Sequence, residues 1–494
     1  MWNLTSTSAE LRQELAKHNE WLLDDGNKSF SLNANEISIS SIDGSLWLRF
    51  LSDEGLCEQI VEHAEVADGR FEFALKNEDS LIRLIPRVRA FELREGVESA
   101  RLERVNGIAF DLTKQFRGFK PLRVELNEHG GRFAEIFAQK GRGFVAAISD
   151  VSGAVSHEAI LAKAFNWQRK LGRRRTRSVK TVWIVASRKT ARALNALCAC
   201  LRGGEAGKIR ILELNKTEPV QANTKFKELE MRRFSSLWSG RLPRLACLEH
   251  RRSSEFAASI LADRPETIDR VFSANGETLR YRGLPFARTR SVRNAEQVWF
   301  GIEKNRIRLN EDTRPEFLDL LENLKTYRTH NAPNKQHEYF SASPEAWLES
   351  ELRKNIRQLD PNLFLSPIYN QFRTAREKID LLALRRDGRL VIVELKVAPD
   401  REMVFQAVDY WRKVESQRRR GNLERARLFE NREIADKPTI IYLAAPTLGF
   451  HNEIEFFARK VKPQIEIVRF DLAENWRERI SVIRRAILNP AQEL

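Results

Sequence analysis

Apolar and polar positions alternate along the first part of the chain, between residues 30 and 83. The segment Ile37-Ser-Ile-Ser-Ser-Ile is followed by Asp43-Gly44 and then by Leu46-Trp-Leu-Arg-Phe50. A period of two on either side of an Asp-Gly pair is typical of antiparallel strands joined by a tight turn. The pattern predicts a β-rich N-terminal module over residues 1–84.

Apolar runs separated by helical stretches dominate the middle of the chain. The runs are Phe144–Ile148, Thr181–Ala186 and Ile209–Leu214, and the predicted helices lie near residues 155–171 and 188–202. Alternation of this kind indicates an α/β unit, which we place at residues 85–217. Residues 218–335 are mixed in pattern and carry no recognisable motif, so we predict only a mixed α+β connecting module there.

The C-terminal part begins after a polar, unpatterned stretch at residues 329–337. Ser343-Pro344, a capping residue followed by a first-turn proline, predicts a helix that runs through Asn355. The Asp387-Gly388 pair predicts a hairpin between two apolar strands. The expected elements are strands at Ile379–Leu384, Leu390–Leu395, Pro438–Leu443 and Ile465–Phe470, with helices near 400–415 and 451–461. We therefore place the last domain at residues 336–494, which makes the chain an α/β multidomain protein.

The balance of charges favours an anionic partner. The 494 residues include 84 Lys and Arg against 68 Asp and Glu, a net charge of +16. Nucleic acid is the obvious polyanion, although charge alone also fits a basic protein that binds nothing anionic.

Cysteine usage and the N-terminus bear on the compartment. The four cysteines (Cys57, Cys198, Cys200 and Cys247) are too few for a disulfide framework in so long a chain. Cys198 and Cys200 lie one residue apart in an Ala/Leu-rich run, which favours packing as small apolar groups over zinc binding. No signal peptide and no membrane-spanning apolar run is found. We expect a soluble, cytoplasmic protein with no membrane association.

The predicted C-terminal hairpin carries residues that could bind a metal ion and take part in catalysis. Hydrolysis of a phosphodiester with Mg²⁺ or Mn²⁺ needs carboxylates that converge on an open site. Asp380 lies near the start of one strand and Glu394 near the end of the other, so antiparallel pairing brings them side by side. Lys396 lies two residues beyond Glu394 and shares its face, because side chains alternate along a strand. Asp380 and Glu394 are the predicted metal ligands, and Lys396 the residue that orients water or stabilises charge.

Two flanking helices offer further candidates. Glu345 and Glu349 are one turn apart, and either could supply an acid from the preceding helix. Gln406 and Tyr410 stand at i and i+4 on the following helix, where both could point toward the same ligand. Glu-x-Lys alone is common in charged chains, so the order of these motifs carries the prediction.

That order resembles the PD-(D/E)XK nucleases, in particular the RecB-like branch with a Gln-x-x-x-Tyr motif and the catalytic domain of the NucS/EndoMS endonucleases. The matching positions span about 150 residues and are Glu345, Leu348, Leu352, Asn355, Ile379-Asp380, Asp387-Gly388, Val391 to Lys396, Gln406, Tyr410 and Ala444-Ala-Pro446. The resemblance implies a restriction-endonuclease-like fold, with Asp380 and Glu394 as metal ligands and Lys396 as the catalytic lysine. It also implies Glu345 as the helical acid and Gln406 with Tyr410 as a supporting pair. Val397-Ala-Pro departs from the basic, small-residue stretch common in the family, so the resemblance does not extend to the DNA-strand contacts of that stretch.

The middle α/β unit has the same predicted order of strands and helices as the C-terminal domain but lacks its candidate catalytic residues. Aligning Gly141 with Gly388 places Phe133, Ala147, Ser149, Lys163 and Trp167 at the positions of Asp380, Glu394, Lys396, Gln406 and Tyr410. We hypothesise that residues 85–217 form a catalytically inactive relative kept for binding or for internal pairing. The competing interpretation is that any two α/β units share such a rhythm.

Two basic runs follow corresponding helices and are predicted to contact the phosphate backbone. The predicted contacts are Arg173, Arg174 and Arg175 in one run, and Arg418, Arg419 and Arg420 in the other. Among the tryptophans, Trp47, Trp183 and Trp299 fall in apolar strand patterns typical of a core. Trp411, beside Tyr410, is the better candidate for the substrate side.

Together these features predict a Mg²⁺- or Mn²⁺-dependent DNA endonuclease whose N-terminal modules serve substrate recognition, regulation or homodimer formation. Three other functions stay open on sequence alone. They are an effector nuclease regulated in defence against foreign DNA, a non-catalytic nucleic-acid-binding protein with a nuclease-like fold, and a ribonuclease.

Overall fold

The computed structural model describes most of the chain and divides it into two compact units, residues 1–195 with 207–231 and residues 196–206 with 232–494. The protein is a mixed α/β protein with a β-rich N-terminal half. No helix in the described part combines the length and apolar character needed to cross a bilayer. The described residues are 8–25, 29–42, 44–52, 55–67, 69–76, 81–87, 90–127, 131–172, 179–215, 225–238, 254–263, 266–273, 276–292, 295–302, 306–365, 380–429 and 432–490.

The N-terminal module is a helix and a seven-stranded antiparallel sheet, as the alternating pattern predicts. Its buried face packs Trp21, Phe71 and Phe73 with the aliphatic side chains of neighbouring strands. The predicted turn between β3 and β4 is present, with Gly44 at φ +73°, while Asp43 lies outside the described residues. The elements are α1 (Ser8–Leu15), β1 (Glu20–Asp24), β2 (Ser29–Asn33), β3 (Ile37–Ile42), β4 (Ser45–Ser52), β5 (Gly55–Ala67), β6 (Arg70–Leu75) and β7 (Leu81–Pro86), in the sheet order β2-β1-β7-β6-β5-β4-β3.

The second sheet has six strands and contains the three predicted apolar runs. Strands β10, β11 and β12 are parallel, and the other neighbouring pairs are antiparallel. The elements are α2 (Ala90–Gln115), β8 (Phe119–Leu126), β9 (Phe133–Lys140), β10 (Gly143–Asp150), α3 (His157–Gly172), β11 (Val179–Ser187), α4 (Arg188–Cys198), α5 (Gly203–Ala206), β12 (Ile209–Asn215) and β13 (Lys225–Glu228), in the sheet order β13-β12-β11-β10-β9-β8.

Cys198 and Cys200 are fully buried near the end of α4. Burial raises the pKa of both thiols, that of Cys200 to about 12. They are therefore protonated at neutral pH and pack as small apolar groups, as the sequence predicts.

Residues 254–341 hold a five-stranded antiparallel sheet with three helices. One side chain, Arg328, ties this module to the start of the next helix. It is fully buried and donates hydrogen bonds to five main-chain carbonyls, those of Tyr281, Arg282, Tyr339, Ala342 and Ser343. The elements are α6 (Glu255–Asp263), β14 (Ile268–Ser273), β15 (Gly276–Tyr281), β16 (Leu284–Val292), β17 (Ala295–Phe300), β18 (Ile307–Arg308), α7 (Arg314–Tyr327) and α8 (Glu338–Ser341).

The C-terminal sheet has six strands, and helix α9 begins at Pro344 as predicted. Ser343 does not cap the helix with its side chain, because its backbone is left-handed (φ +39°) and not extended as at a usual N-cap. Its carbonyl accepts a hydrogen bond from Arg328. Strands β19 and β24, at the two edges, were not predicted. The elements are α9 (Pro344–Lys354), β19 (Leu363–Leu365), β20 (Leu381–Arg385), β21 (Leu390–Leu395), α10 (Met403–Arg418), α11 (Asn422–Arg425), β22 (Ile440–Pro446), α12 (Ile454–Ala458), β23 (Ile467–Leu472) and β24 (Val482–Ile487), in the sheet order β19-β20-β21-β22-β23-β24.

Candidate functional site

The β20–β21 hairpin brings the two predicted metal ligands together. Leu381 pairs with Val393, so the next position outward puts Asp380 opposite Glu394. Asp380 Oδ2 also accepts a hydrogen bond of 2.8 Å from the backbone nitrogen of Leu395. Val393 and Leu395 belong to the apolar cluster around α9, and because side chains alternate, Glu394 faces the other side of the sheet.

Glu394 is a carboxylate held almost entirely out of water. Its side chain is 3% exposed, and Oε1 lies 3.4 Å from Lys396 Nζ. Its other oxygen, Oε2, is buried without a hydrogen-bond partner among the described residues. Burial, and then the charge of Asp380, raise the pKa of Glu394 well above its ordinary value, while Lys396 acts in the opposite sense. One oxygen is therefore available for a ligand that protein groups do not supply.

Lys396 bridges Glu394 and a residue that sequence reasoning missed. Its Nζ lies 3.0 Å from Asp400 Oδ2, and Asp400 Oδ1 accepts from the backbone nitrogen of Glu402 at the start of α10. Burial lowers the pKa of Lys396, but the charges of Glu394 and Asp400 outweigh it, so the net pKa is above the ordinary value. Lys396 is thus a fixed cation. The signal for Asp400 was its position four residues after Lys396 and directly before a helix.

Helix α10 contacts β21 and β22 and carries the other two candidates. Gln406 and Tyr410 are both half-buried, one turn apart. Gln406 Oε1 is buried and makes no hydrogen bond within the described part of the chain. The ammonium of Lys413 lies 5.7 Å from the centre of the Tyr410 ring. Gln406 is thus a second acceptor that protein groups leave unsatisfied on the elements of this site.

The two helical acids differ in what surrounds them. Glu349 is 1% exposed and lies 3.3 Å from Arg280 Nη1, so its charge is used within the fold. Glu345, in the first turn of α9, is half-buried and makes no hydrogen bond or ion pair with described residues. Of the two, Glu345 is therefore the acid that retains a carboxylate for other use.

The donor set fits a hard divalent cation. Such ions take oxygen ligands and tolerate carboxylates that are close enough to repel each other. Asp380 and Glu394 stand side by side, and the unpartnered Glu394 Oε2 is the kind of buried oxygen that an ion would satisfy. No imidazole or thiolate belongs to this set, which favours Mg²⁺ or Mn²⁺ over a softer metal.

The predicted phosphate contacts separate into different environments. Arg418 has a side chain that is 6% exposed and pairs with the fully buried Glu415 and with Asp436. Arg419 also pairs with Glu415 but is 40% exposed, and Arg420 donates to the carbonyl of Trp238. Arg418 thus stabilises the end of α10, whereas the side chain of Arg419 is more exposed. Arg173, Arg174 and Arg175 lie outside the described residues.

The tryptophans also differ from expectation. Trp411 is 1% exposed, donates to Thr439 O at 2.7 Å and packs against Phe234, so it anchors α10 instead of facing a substrate. Trp183 is buried as predicted. Trp47 and Trp299 are only half-buried.

Comparison of the chain with family models, with curated proteins and with solved structures returns no match.

Proposed function

We propose that the C-terminal domain is a Mg²⁺- or Mn²⁺-dependent nuclease of the PD-(D/E)XK type that hydrolyses phosphodiester bonds in DNA. The observation that carries the proposal is the Asp380–Glu394 pair, with a buried, unpartnered Glu394 oxygen and Lys396 3.4 Å from the same carboxylate. The αβββααβαβ element order from α9 to β23 supports it, because the hairpin that carries Asp380 and Glu394 lies between α9 and α10 in the chain.

Each residue has a distinct role in this proposal. Asp380 and Glu394 would hold the ion, which when bound makes water more acidic and neutralises phosphate charge. Lys396 remains protonated because its pKa is raised, so it acts as a donor and positive charge beside the phosphate, not as the base. Gln406 offers an acceptor to orient water, and Tyr410 supports that face of α10. Glu345 is the supplementary acid.

The net charge of +16 supports a polyanionic substrate. Arg419 and Arg420 follow α10 directly, where their side chains retain exposure for the backbone of DNA. Within this proposal the N-terminal modules recognise the substrate, regulate the nuclease or form a homodimer.

The test is cleavage of labelled single-stranded, flapped, mismatched and duplex DNA and of RNA, with Mg²⁺, Mn²⁺ or EDTA. We expect metal-dependent cleavage of DNA that Asp380→Asn and Glu394→Gln each reduce by at least about a thousandfold. Asp312→Asn, an exposed carboxylate in the same unit, is the matched control and should leave cleavage unchanged.

Binding of Mn²⁺, followed by electron paramagnetic resonance, provides a readout besides activity. The wild-type protein and Asp312→Asn should bind the ion, and Asp380→Asn should not. Cleavage that persists in EDTA or in Asp380→Asn would contradict the proposal.

A further inference from the structure

The second and the C-terminal sheets have one and the same topology. Each has six strands in sequential order, a central set of three parallel strands, and antiparallel neighbours outside it. Each is preceded by a helix, α2 or α9, and each places a long helix, α3 or α10, between the first two parallel strands. Shared strand-helix rhythm could arise by chance, but identical order and direction of six strands allow a position-by-position comparison.

A hydrogen bond from the long helix fixes the alignment of the two units. Trp411 Nε1 donates to Thr439 O at 2.7 Å, and Gln168 Nε2 donates to Lys180 O at 3.1 Å. Both acceptors lie at the start of the strand that follows the helix. A second pair agrees, since Arg412 contacts Asp409 in one helix as Arg169 contacts Asn166 in the other. Along the helices, Lys163 thus corresponds to Gln406 and Trp167 to Tyr410, as the sequence alignment has it.

The strands require a correction to the sequence alignment. Aligning Lys180 with Thr439 matches Ile184 with Leu443. Their parallel partners are Ile148 and Glu394, respectively. The hairpin partner of Ile148 is Glu135. In the C-terminal hairpin, Asp380 lies opposite Glu394, one position beyond the pair Leu381–Val393.

The predicted equivalents Phe133, Ala147 and Ser149 are therefore in the wrong register. Ala147 packs in the cluster around α2, on the face opposite to the one that Glu394 occupies in its own sheet. A one-residue shift in a strand exchanges its two faces, so Ala147 cannot be the counterpart of Glu394.

In the corrected alignment, the second unit keeps one carboxylate of the site and has a lysine and an apolar residue at two of the other positions. Glu135, at the place of Asp380, is buried and lies 2.5 Å from Lys163 Nζ. Lys163 projects from α3 at the place of Gln406. Ile148, at the place of Glu394, is fully buried and apolar. Asp150 replaces Lys396, and its oxygens accept from the backbone nitrogens of Ser152, Gly153 and Val155 in the loop before α3.

We propose that residues 90–228 are a second copy of the fold of the C-terminal domain, in which the ammonium of Lys163 takes the place of the divalent cation. The carboxylate of Glu135 is retained in this copy. The ammonium of Lys163, which stands at the position of the neutral Gln406 amide in the C-terminal copy, neutralises it. In this copy, the place that corresponds to the Asp380–Glu394 site therefore needs no divalent ion. The inference rests on the proposed function only for the identity of the cation at Asp380 and Glu394.

The test gives the second site the residue types of the C-terminal site. In an Asp380→Asn background, Ile148→Glu with Lys163→Gln supplies the missing carboxylate and removes the ammonium, while Ile148→Gln with Lys163→Gln is the uncharged control of equal size. We expect the glutamate variant to bind one Mn²⁺ per chain by isothermal titration calorimetry and the control to bind none. A glutamate variant with a native circular dichroism spectrum and no more bound Mn²⁺ than the control would overturn the proposal.

A second measurement applies if the glutamate variant does not fold. In a double-mutant cycle, Glu135→Gln and Lys163→Met should each raise the unfolding equilibrium constant about tenfold or more, because each leaves one partner of a buried pair alone. The double variant should recover most of that loss. Additive effects would overturn the proposal. Absence of Mn²⁺ binding to the wild-type protein would instead count against the proposed nuclease, and leaves both tests of the Lys163 site intact.

Discussion

Replacing Lys396 with methionine tests the electrostatics of the candidate site directly. At 3.4 Å and an effective dielectric constant of about 20, the attraction between Lys396 and Glu394 is about 5 kcal/mol. Desolvation offsets part of this, and removing one member of a buried pair typically costs about 3 kcal/mol or more. We therefore expect Lys396→Met to lower the free energy of unfolding in EDTA by about 3 kcal/mol at pH 8.

The loss should shrink at lower pH, because burial and Asp380 already favour protonation of Glu394. A proton can then replace the ammonium and remove the uncompensated charge. Two further results separate this mechanism from lost packing. The double variant Glu394→Gln/Lys396→Met should regain most of the stability, and Mn²⁺ should stabilise Lys396→Met more than the wild-type protein.

Urea denaturation in EDTA at pH 5 and pH 8, followed by circular dichroism, measures these differences. A free energy of unfolding for Lys396→Met within about 1 kcal/mol of the wild-type value at pH 8 would refute this electrostatic explanation. A double variant as unstable as the single one would refute it equally.

Three other predictions concern the same unit. Since the folded state raises the pKa of Glu394, the metal-free protein should lose stability in calorimetry as pH rises above the unfolded value of about 4.3, and Glu394→Gln should flatten that slope. Arg418→Met should lower the free energy of thermal unfolding by about 2 kcal/mol, because it removes hydrogen-bond donors from buried Glu415. Arg420→Gln should instead reduce the salt dependence of DNA binding by about one ion. Equal effects of both variants on DNA binding would contradict this. Gly283→Ala should cost about 3 kcal/mol, since φ is +81° and a Cβ would collide with the carbonyl of Ala346; an unchanged melting temperature would contradict it.

The elements with strong periodicity were predictable. The Asp387-Gly388 turn and the apolar strand Leu390–Leu395 appear where the pattern places them. Strand β24 was missed because most of its side chains are exposed and its burial does not alternate. Strand β19 was missed because three residues carry too little pattern. The position of Asp380 opposite Glu394, one residue beyond the pair Leu381–Val393, followed from the hairpin alone, because local turn chemistry determines the register.

Features that depend on distant contacts were not predictable. Trp411 looks like a substrate-side aromatic beside Tyr410, but Phe234 and the carbonyl of Thr439 make it an anchor. The guanidinium of Arg328 donates to carbonyls of residues that come before and after it in the sequence, such as Tyr281 and Ala342. No local sequence pattern indicates such a residue.

The register error in the second copy has a simple physical cause. Residues 141 and 142 separate the closing pair Lys140–Gly143, whereas residues 385–389 separate the pair Leu384–Leu390. The two hairpins therefore have loops of different length. Matching their glycines shifts one strand relative to the other, and a shift of odd length exchanges the faces of the sheet.

The proposed function requires that Asp380 and Glu394 bind one divalent cation together. Crystals grown with Mn²⁺ and measured near the manganese absorption edge would locate that ion. We expect an anomalous peak within about 2.2 Å of an oxygen from each carboxylate. A peak elsewhere on the protein, or none between these two side chains at saturating Mn²⁺, would contradict it.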